Sequence, residues 1–324
     1  MLQTGVLLLG FGGPDKFEAV QPFMCNLMGR EPSEELVARV CRRYLTIGGV
    51  SPLPTIAKDM AEGIESRLSQ AGHEIPVRVG MRYWDPYIKD ALAELRSLGC
   101  ERVITLSLSP FESKAASGAY REAVAQAVAD SGDIEIVEAP LAATMHEFIS
   151  YMADSTVSSL EELEAKTGAV VLFTAHSLPA TDCTIDDPYV SGLRTAAQDI
   201  AEAAGFAPGD VDAGSDLLGG ITAFGTTLPP QPWFLAFQSK GERACDWLGP
   251  DLEDVIAALP EDTVASVVVS PIGFMTDHLE TMYDLDVITA EQVLDKGMQF
   301  RRAYVANDQP LVLDGLARLV TDLL

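Results

Sequence analysis

Six short apolar runs, in two sets of three, constrain the fold of this chain most. The first set is 5–11 (GVLLLGF), 77–83 (VRVGMRY) and 102–108 (RVITLSL). The second is 169–174 (AVVLFT), 233–237 (WFLAF) and 265–270 (ASVVVS). These runs are continuous rather than alternating, the pattern of parallel strands covered on both faces. Parallel strands need long crossovers, and helical patterns fill the gaps. Helices are expected at 33–45, 54–71, 87–98, 120–131, 145–167, 189–205 and 252–259, with a last one at 309–324. The intervals within the two sets are similar. Ser109-Pro110-Phe111 and Ser270-Pro271-Ile272-Gly273-Phe274, each closing a third run, share a local signature. We therefore expect two related α/β domains built from a duplicated unit. The first is placed at 1–150 and the second at 151–308, with 309–324 as a closing C-terminal helix.

The chain has 324 residues, enough for two cores. Its net charge of -26 excludes binding to nucleic acid or an anionic membrane through bulk charge. The five cysteines are widely spaced and form no C-x-x-C, which argues against a disulfide framework, a zinc ribbon or a clustered iron–sulfur motif. No apolar run reaches the length of a membrane span, and no basic segment precedes the first run. The expectation is a cytoplasmic protein with no stable membrane anchor.

Ligands of open parallel sheets bind beyond the carboxyl ends of the strands. The residues found there are Phe11, then Arg82-Tyr83-Trp84, Pro110-Phe111, His176, Gln238-Ser239-Lys240 and the segment from Asp277 to Asp286. His176 closes an apolar strand and is one of only four histidines. It can serve as a general base or a metal ligand, or be a histidine held by local backbone. The segment Asp277-His278-Leu279-Glu280-Thr281-Met282-Tyr283-Asp284-Leu285-Asp286 is the other prominent feature. On a helix, Asp277, Glu280 and Asp284 share a face, and stacked like charges need a reason. A cation, or protons to be carried away, would supply one. Asp277-x-x-Glu280 also fits a capping box, with Asp277 as the cap. Gly10-Phe11-Gly12-Gly13-Pro14 lacks the spacing of a phosphate loop, and Ile47-Gly48-Gly49-Val50-Ser51-Pro52-Leu53 reads as a tight connection.

Taken together, several segments resemble one family, the ferrochelatases, which insert ferrous iron into a porphyrin. The matching pieces are LLLGFGGP (7–14), YLTIGGVSPL (44–53), MRYWDP (81–86), FTAHSLP (173–179), DDPY (186–189), FQSKG (237–241), WLGPDLEDVI (247–256) and PIGFMTDHLETMYDLD (271–286). They follow the family's order and span nearly the whole chain. The pair AHSLP and DHLETMYDLD is the most specific. The resemblance implies two similar Rossmann-like domains with parallel sheets and a porphyrin cleft between them. It implies that His176 is the active-site histidine, a metal ligand or acceptor of a pyrrole proton, and that Glu280 is the carboxylate opposite it. Asp284 would continue an acidic path for metal or protons. Phe11, Tyr83, Trp84 and Phe111 would wall the porphyrin, and Arg30 would meet its propionates, with Arg82, Lys114 and Arg121 as further candidates.

Other features narrow the expectation. Some members carry Tyr or Met where Phe11 stands, and Phe11 cannot ligate product iron. The chain lacks the C-terminal cysteine cluster and the membrane-binding lip extension of animal members. No [2Fe–2S] cluster or other permanently bound cofactor is expected; Fe(II) enters as substrate. Gly29-Arg30-Glu31-Pro32 and Ser109-Pro110-Phe111-Glu112-Ser113 resemble bacterial forms, those of Gram-positive bacteria using coproporphyrin III. That porphyrin is the expected substrate. The alternatives are protoporphyrin IX, a cobalt or other-tetrapyrrole chelatase, or a non-catalytic haem carrier. The expected state is a monomer, with a downstream haem-pathway enzyme as partner.

Overall fold

Eight strands, among the described residues, form two parallel sheets of identical topology. The first sheet contains β1 (Thr4–Gly10), β2 (Val77–Met81), β3 (Arg102–Ser107) and β4 (Glu135–Glu138), in the order β2-β1-β3-β4. The second contains β5 (Ala169–His176), β6 (Trp233–Gln238), β7 (Ser266–Ser270) and β8 (Gln299–Arg302), in the order β6-β5-β7-β8. This computed structural model describes residues 3–132, 134–183, 187–206, 231–241 and 244–324.

The duplication extends to single hydrogen bonds. Val6 N donates to Pro76 O at 2.8 Å and Val171 N to Pro232 O at 3.0 Å, each just before the second strand of its sheet. Met81 N donates to Pro86 O at 2.7 Å, and Phe237 N to Pro250 O at 2.8 Å, each ahead of a helix. The third strand of each sheet leads to a π-helix, Lys114–Gly118 in one and Glu280–Thr289 in the other.

Apolar burial explains why the six expected runs are strands. Val6, Leu7 and Leu8 of β1 and Val171, Leu172 and Phe173 of β5 have no exposed surface. Each such side chain contributes about 2 kcal/mol relative to exposure. The fourth strands are additions to the expectation. EIVE and QFRR are short, charged and half exposed at a sheet edge, so they present no apolar run. Helix Val20–Met28 is also an addition. The helix expected at 145–167 is shorter, His146–Glu161. Beyond it, Glu164 N and Ala165 N donate to Oε1 of Gln299, at 3.0 and 3.5 Å, and so leave the helical ladder.

The chain divides into two compact units. One is Met1–Phe148 with Met275–Leu279 and Ala306–Leu324; the other is Ile149–Phe274 with Glu280–Val305. This differs from a simple split at 150 and 308. Helix Pro310–Thr321 belongs to the first unit, where it packs on helix Leu53–Gln70. Leu313 fills the space a Cβ on Gly63 would need, 2.6 Å away. Asp314 pairs with Arg67, and Arg318 grips Glu147 through two bonds of 3.0 and 2.9 Å. No helix among the described residues is long and apolar enough to cross a membrane.

Candidate active site

His176 is the last residue of β5, which lies between β6 and β7 in its sheet. Its register partner is Gln238, the last residue of β6, and Phe173 pairs with Ser270, the last residue of β7. Three strand ends therefore meet at one carboxyl edge, where a parallel sheet places its ligands. The His176 carbonyl accepts from Tyr189 Oη at 2.8 Å. Tyr189 lies in the first turn of helix Pro188–Ala203, capped by the Asp187 side chain. Burial pushes its phenol pKa well above the ordinary value, so it is a lasting donor. His176 Nδ1 lies against the Ser177 carbonyl, so this nitrogen carries a proton in the neutral as well as the cationic ring. Nε2 then faces Oε1 of Glu280 at 3.4 Å.

Glu280 arrives by a different route. After β7 the chain turns at Gly273, whose N–H donates to Thr174 O at 3.0 Å. A Cβ at Gly273 would lie 2.6 Å from the Ala175 backbone, so only glycine allows this approach to β5. Glu280 then opens the π-helix Glu280–Thr289. The α-helical face expected for Asp277, Glu280 and Asp284 is not formed, because Asp277 precedes the helix. Asp277 and Asn307 instead exchange two 2.8 Å bonds within the first unit, one from the Asp277 N–H and one to its carboxylate. His278, also in that unit, places Nδ1 3.1 Å from the Thr276 carbonyl.

Each acidic residue of the π-helix makes a polar contact. Glu280 meets His176. Asp284 accepts from Ser239 Oγ at 2.6 Å, and its carbonyl accepts from Thr289 Oγ1, five residues on, at 2.8 Å. Asp286 takes two bonds from Arg302, at 2.6 and 2.9 Å, which ties the helix to β8. These contacts offset the repulsion between neighbouring carboxylates.

The charge balance sets the histidine. Burial alone would lower its pKa, but the Glu280 charge and hydrogen bond, the Ser177 carbonyl and the Asp284 charge outweigh it and raise it from 6.5 to about 9. The group is therefore cationic at neutral pH and, once deprotonated, a strong base. Imidazole and carboxylate are both suited to a divalent first-row metal. Two donors hold such an ion incompletely, and no group of three or more His, Cys, Asp or Glu side chains among the described residues could hold one.

The other expected residues lie in the first unit, with Phe11, Arg82, Tyr83 and Trp84 just beyond the ends of β1 and β2. Phe11 is 36% exposed and packs on Tyr83, with centroids 4.8 Å apart. Phe23 meets Phe11 at 6.4 Å and Trp84 at 6.2 Å, both edge-on. Trp84 Nε1 donates to Asp15 at 3.0 Å, and the Arg82 guanidinium lies 4.8 Å from the Tyr83 ring centre. The glycine loop serves close packing here, since a Cβ on Gly12 would lie 2.9 Å from Trp84 N. Arg30 is exposed and follows the left-handed Gly29 that ends helix Val20–Met28. Phe111 corrects the expectation: at 2% exposure it is a core side chain, with no open face for a ligand. Arg121 is engaged by Glu112 and by Glu138, the latter at 2.9 Å. Lys114 is exposed at the start of its π-helix. Sequence reasoning assigned no role to Ser239, Tyr189 or Arg302. The segments FQSKG and DDPY carry the first two, but their partners are distant in sequence. Asp186 of DDPY lies outside the described residues.

Two parallel sheets of one topology, with a histidine–carboxylate pair at a strand edge, are the architecture of the chelatase fold. Solved structures agree on the fold. SirB from Bacillus subtilis with Fe3+ superposes with a TM-score of 0.54 at 12% identity, over 99% of this chain and 95% of that one. CbiX, described as the terminal enzyme for biosynthesis of siroheme in denitrifying bacteria, gives 0.54 at 13% identity over 99% of both chains. The ferrochelatase family model matches residues 3–324. A ferrochelatase of Herpetosiphon aurantiacus is 31% identical over 98% of both chains. A coproporphyrin III ferrochelatase of Mycolicibacterium smegmatis is 33% identical over 98% of this chain and 88% of that one. Another, from Anoxybacillus flavithermus, is 32% identical over 98% and 95%. The chain belongs to the ferrochelatase family, lyases that insert iron into a porphyrin in haem biosynthesis.

Proposed function

We propose that this enzyme inserts Fe(II) into coproporphyrin III, with His176 and Glu280 at the reaction centre and Asp284 behind them. The observation that carries the site reading is the His176–Glu280 pair, 3.4 Å apart at the carboxyl edge of β5. Insertion replaces two pyrrole protons with one Fe(II). The His176 imidazole, with its pKa raised to about 9, already carries a proton at neutral pH; once it has given that proton up it is a strong acceptor for one of the pyrrole protons. Glu280 balances the charge that results and, with neutral Nε2, can ligate the incoming ion. Asp284, four residues along the same helix, is the next acceptor for a proton or ion. Phe11, Tyr83 and Trp84 are the proposed apolar contacts of the macrocycle, and Arg30 the contact of a propionate. Arg30 suits this use because it is exposed and its guanidinium fork matches a carboxylate.

Support for coproporphyrin comes from the relatives of Mycolicibacterium smegmatis and Anoxybacillus flavithermus, which carry that substrate in their names. The same reading takes the enzyme as a cytoplasmic monomer with no resident cluster, passing its product to a downstream haem-pathway enzyme. The test is anaerobic Fe(II) insertion with coproporphyrin III and protoporphyrin IX side by side. A kcat/KM at least about tenfold higher for coproporphyrin III, about 1.4 kcal/mol, is expected. Equal rates, or a preference for protoporphyrin IX, would overturn the substrate assignment.

A further inference from the structure

We infer that Ser239 is a positioning residue for the Asp284 carboxylate, an inference that rests on the proposed role of Asp284. Four side chains of the second unit form a directed chain of hydrogen bonds. Thr174, fully buried on β5, donates from Oγ1 to Gln238 Oε1 at 2.7 Å. With Oε1 of the buried Gln238 amide taken up as this acceptor, its Nε2 is the end that points onward. Nε2 lies 3.4 Å from Ser239 Oγ. A serine hydroxyl has one proton, and with Nε2 donating to its oxygen that proton is free for Asp284. The Ser239 Oγ to Asp284 Oδ2 distance is 2.6 Å, that of a charge-assisted bond.

The backbone at Ser239 supports the same conclusion. Its φ is 59°, the left-handed region that a non-glycine residue adopts at a cost. A glycine would remove that cost but would have no hydroxyl to give Asp284. Gln238 is also tied to the histidine strand, because its carbonyl accepts from Ser177 N at 2.8 Å and its register partner is His176. One partly buried network therefore ties together the β5 edge and Asp284. A carboxylate held in this way meets an incoming proton or ion in a fixed orientation.

Three variants of the full-length enzyme separate the hydroxyl from the backbone. Ser239→Ala keeps the strained φ without the donor. Ser239→Gly relieves the strain without the donor. Ser239→Asn supplies a donor and tolerates the left-handed region. Each is assayed for anaerobic Fe(II) insertion into coproporphyrin III beside Asp284→Asn and the double variant Ser239→Ala/Asp284→Asn, with porphyrin Kd measured separately. The expected result is an approximately tenfold fall in kcat/KM for Fe(II) in both the Ala and Gly variants, with porphyrin Kd unchanged and most of the loss recovered by Asn. The double variant should be no slower than Asp284→Asn alone. Wild-type rates in Ser239→Gly, with Asp284→Asn impaired, would overturn the role of Ser239 and leave that of Asp284 standing. Wild-type rates in Asp284→Asn would overturn the relay reading itself.

Discussion

Replacing Glu280 by Gln should release the proton that His176 holds. The charge and hydrogen bond of Glu280 are the largest influences raising the imidazole pKa, to about 9 against an ordinary 6.5, and burial opposes them. That difference corresponds to about 3 kcal/mol of coupling between imidazolium and its surroundings. Both side chains are 31% exposed, so solvent screening reduces the Glu280 share to about 2 kcal/mol. In Glu280→Gln the Ser177 carbonyl and the Asp284 charge remain, and burial still disfavours the cation. The pKa should therefore fall by roughly 1.5 pH units or more, at about 1.4 kcal/mol per pH unit. The sign for stability follows from linkage. A histidine whose folded pKa is raised stabilises the fold fully below about pH 6.5, and that contribution fades as pH rises through about 9. Glu280→Gln should then lose about 2 kcal/mol at pH 6 and almost nothing at pH 10. Imidazole NMR titration gives the pKa, with His176→Ala to assign the signal among four histidines. Urea unfolding at the two pH values gives the stability difference. An unchanged titration midpoint, or an equal loss at both pH values, would refute the coupling.

Other consequences follow from the same geometry. Because His176 must lose a proton to ligate a metal, affinity for a divalent probe such as Zn(II) should rise up to about tenfold per pH unit between pH 6 and 8, and lose most of that slope in His176→Ala, as read by calorimetry. Gly273→Ala would drive a methyl into Ala175, whose Cα is 2.6 Å from the new Cβ. It should cost about 2 kcal/mol by thermal unfolding and slow iron insertion by moving Glu280 relative to His176. Asp286→Ala removes the two bonds that the Arg302 guanidinium gives this carboxylate. Because Asp286 is 38% exposed, the expected loss is about 1 kcal/mol in urea unfolding.

The two sheets were legible because their central strands are uninterrupted apolar runs, which a parallel sheet covered on both faces requires. β4 and β8 were not, since edge strands as short and charged as EIVE and QFRR resemble loops. The helix beyond Glu161 was overdrawn because what ends it, the Gln299 side chain, lies more than a hundred residues away. Helix Pro310–Thr321 could be read as a helix, but its membership of the first unit depends on Arg67 and Glu147. At the candidate site, the place of His176 at a strand end could be read from the residues, whereas its pairing with Glu280 was implied by the family resemblance. The π-helix was hidden, because an apolar pattern gives no sign that hydrogen bonds run to the fifth residue rather than the fourth. Asp277 therefore appeared to belong to a helix that begins after it. Ser239 could not be singled out, since its significance lies in a backbone angle and in bonds to residues far along the chain. Phe111 looked like a wall residue by its position at a strand end, and its burial could not be read from that position.

The most direct test of the central claim is single-turnover Fe(II) insertion into coproporphyrin III, comparing the wild-type enzyme with His176→Ala and Glu280→Gln under strict anaerobiosis. Porphyrin binding is followed by fluorescence in the same samples. The expected result is that both variants bind porphyrin as the wild type does, while insertion falls by at least about a hundredfold in His176→Ala and tenfold in Glu280→Gln, barriers of about 2.7 and 1.4 kcal/mol. Insertion within about tenfold of wild type in His176→Ala, with porphyrin bound normally, would contradict a reaction centre built on His176 and Glu280.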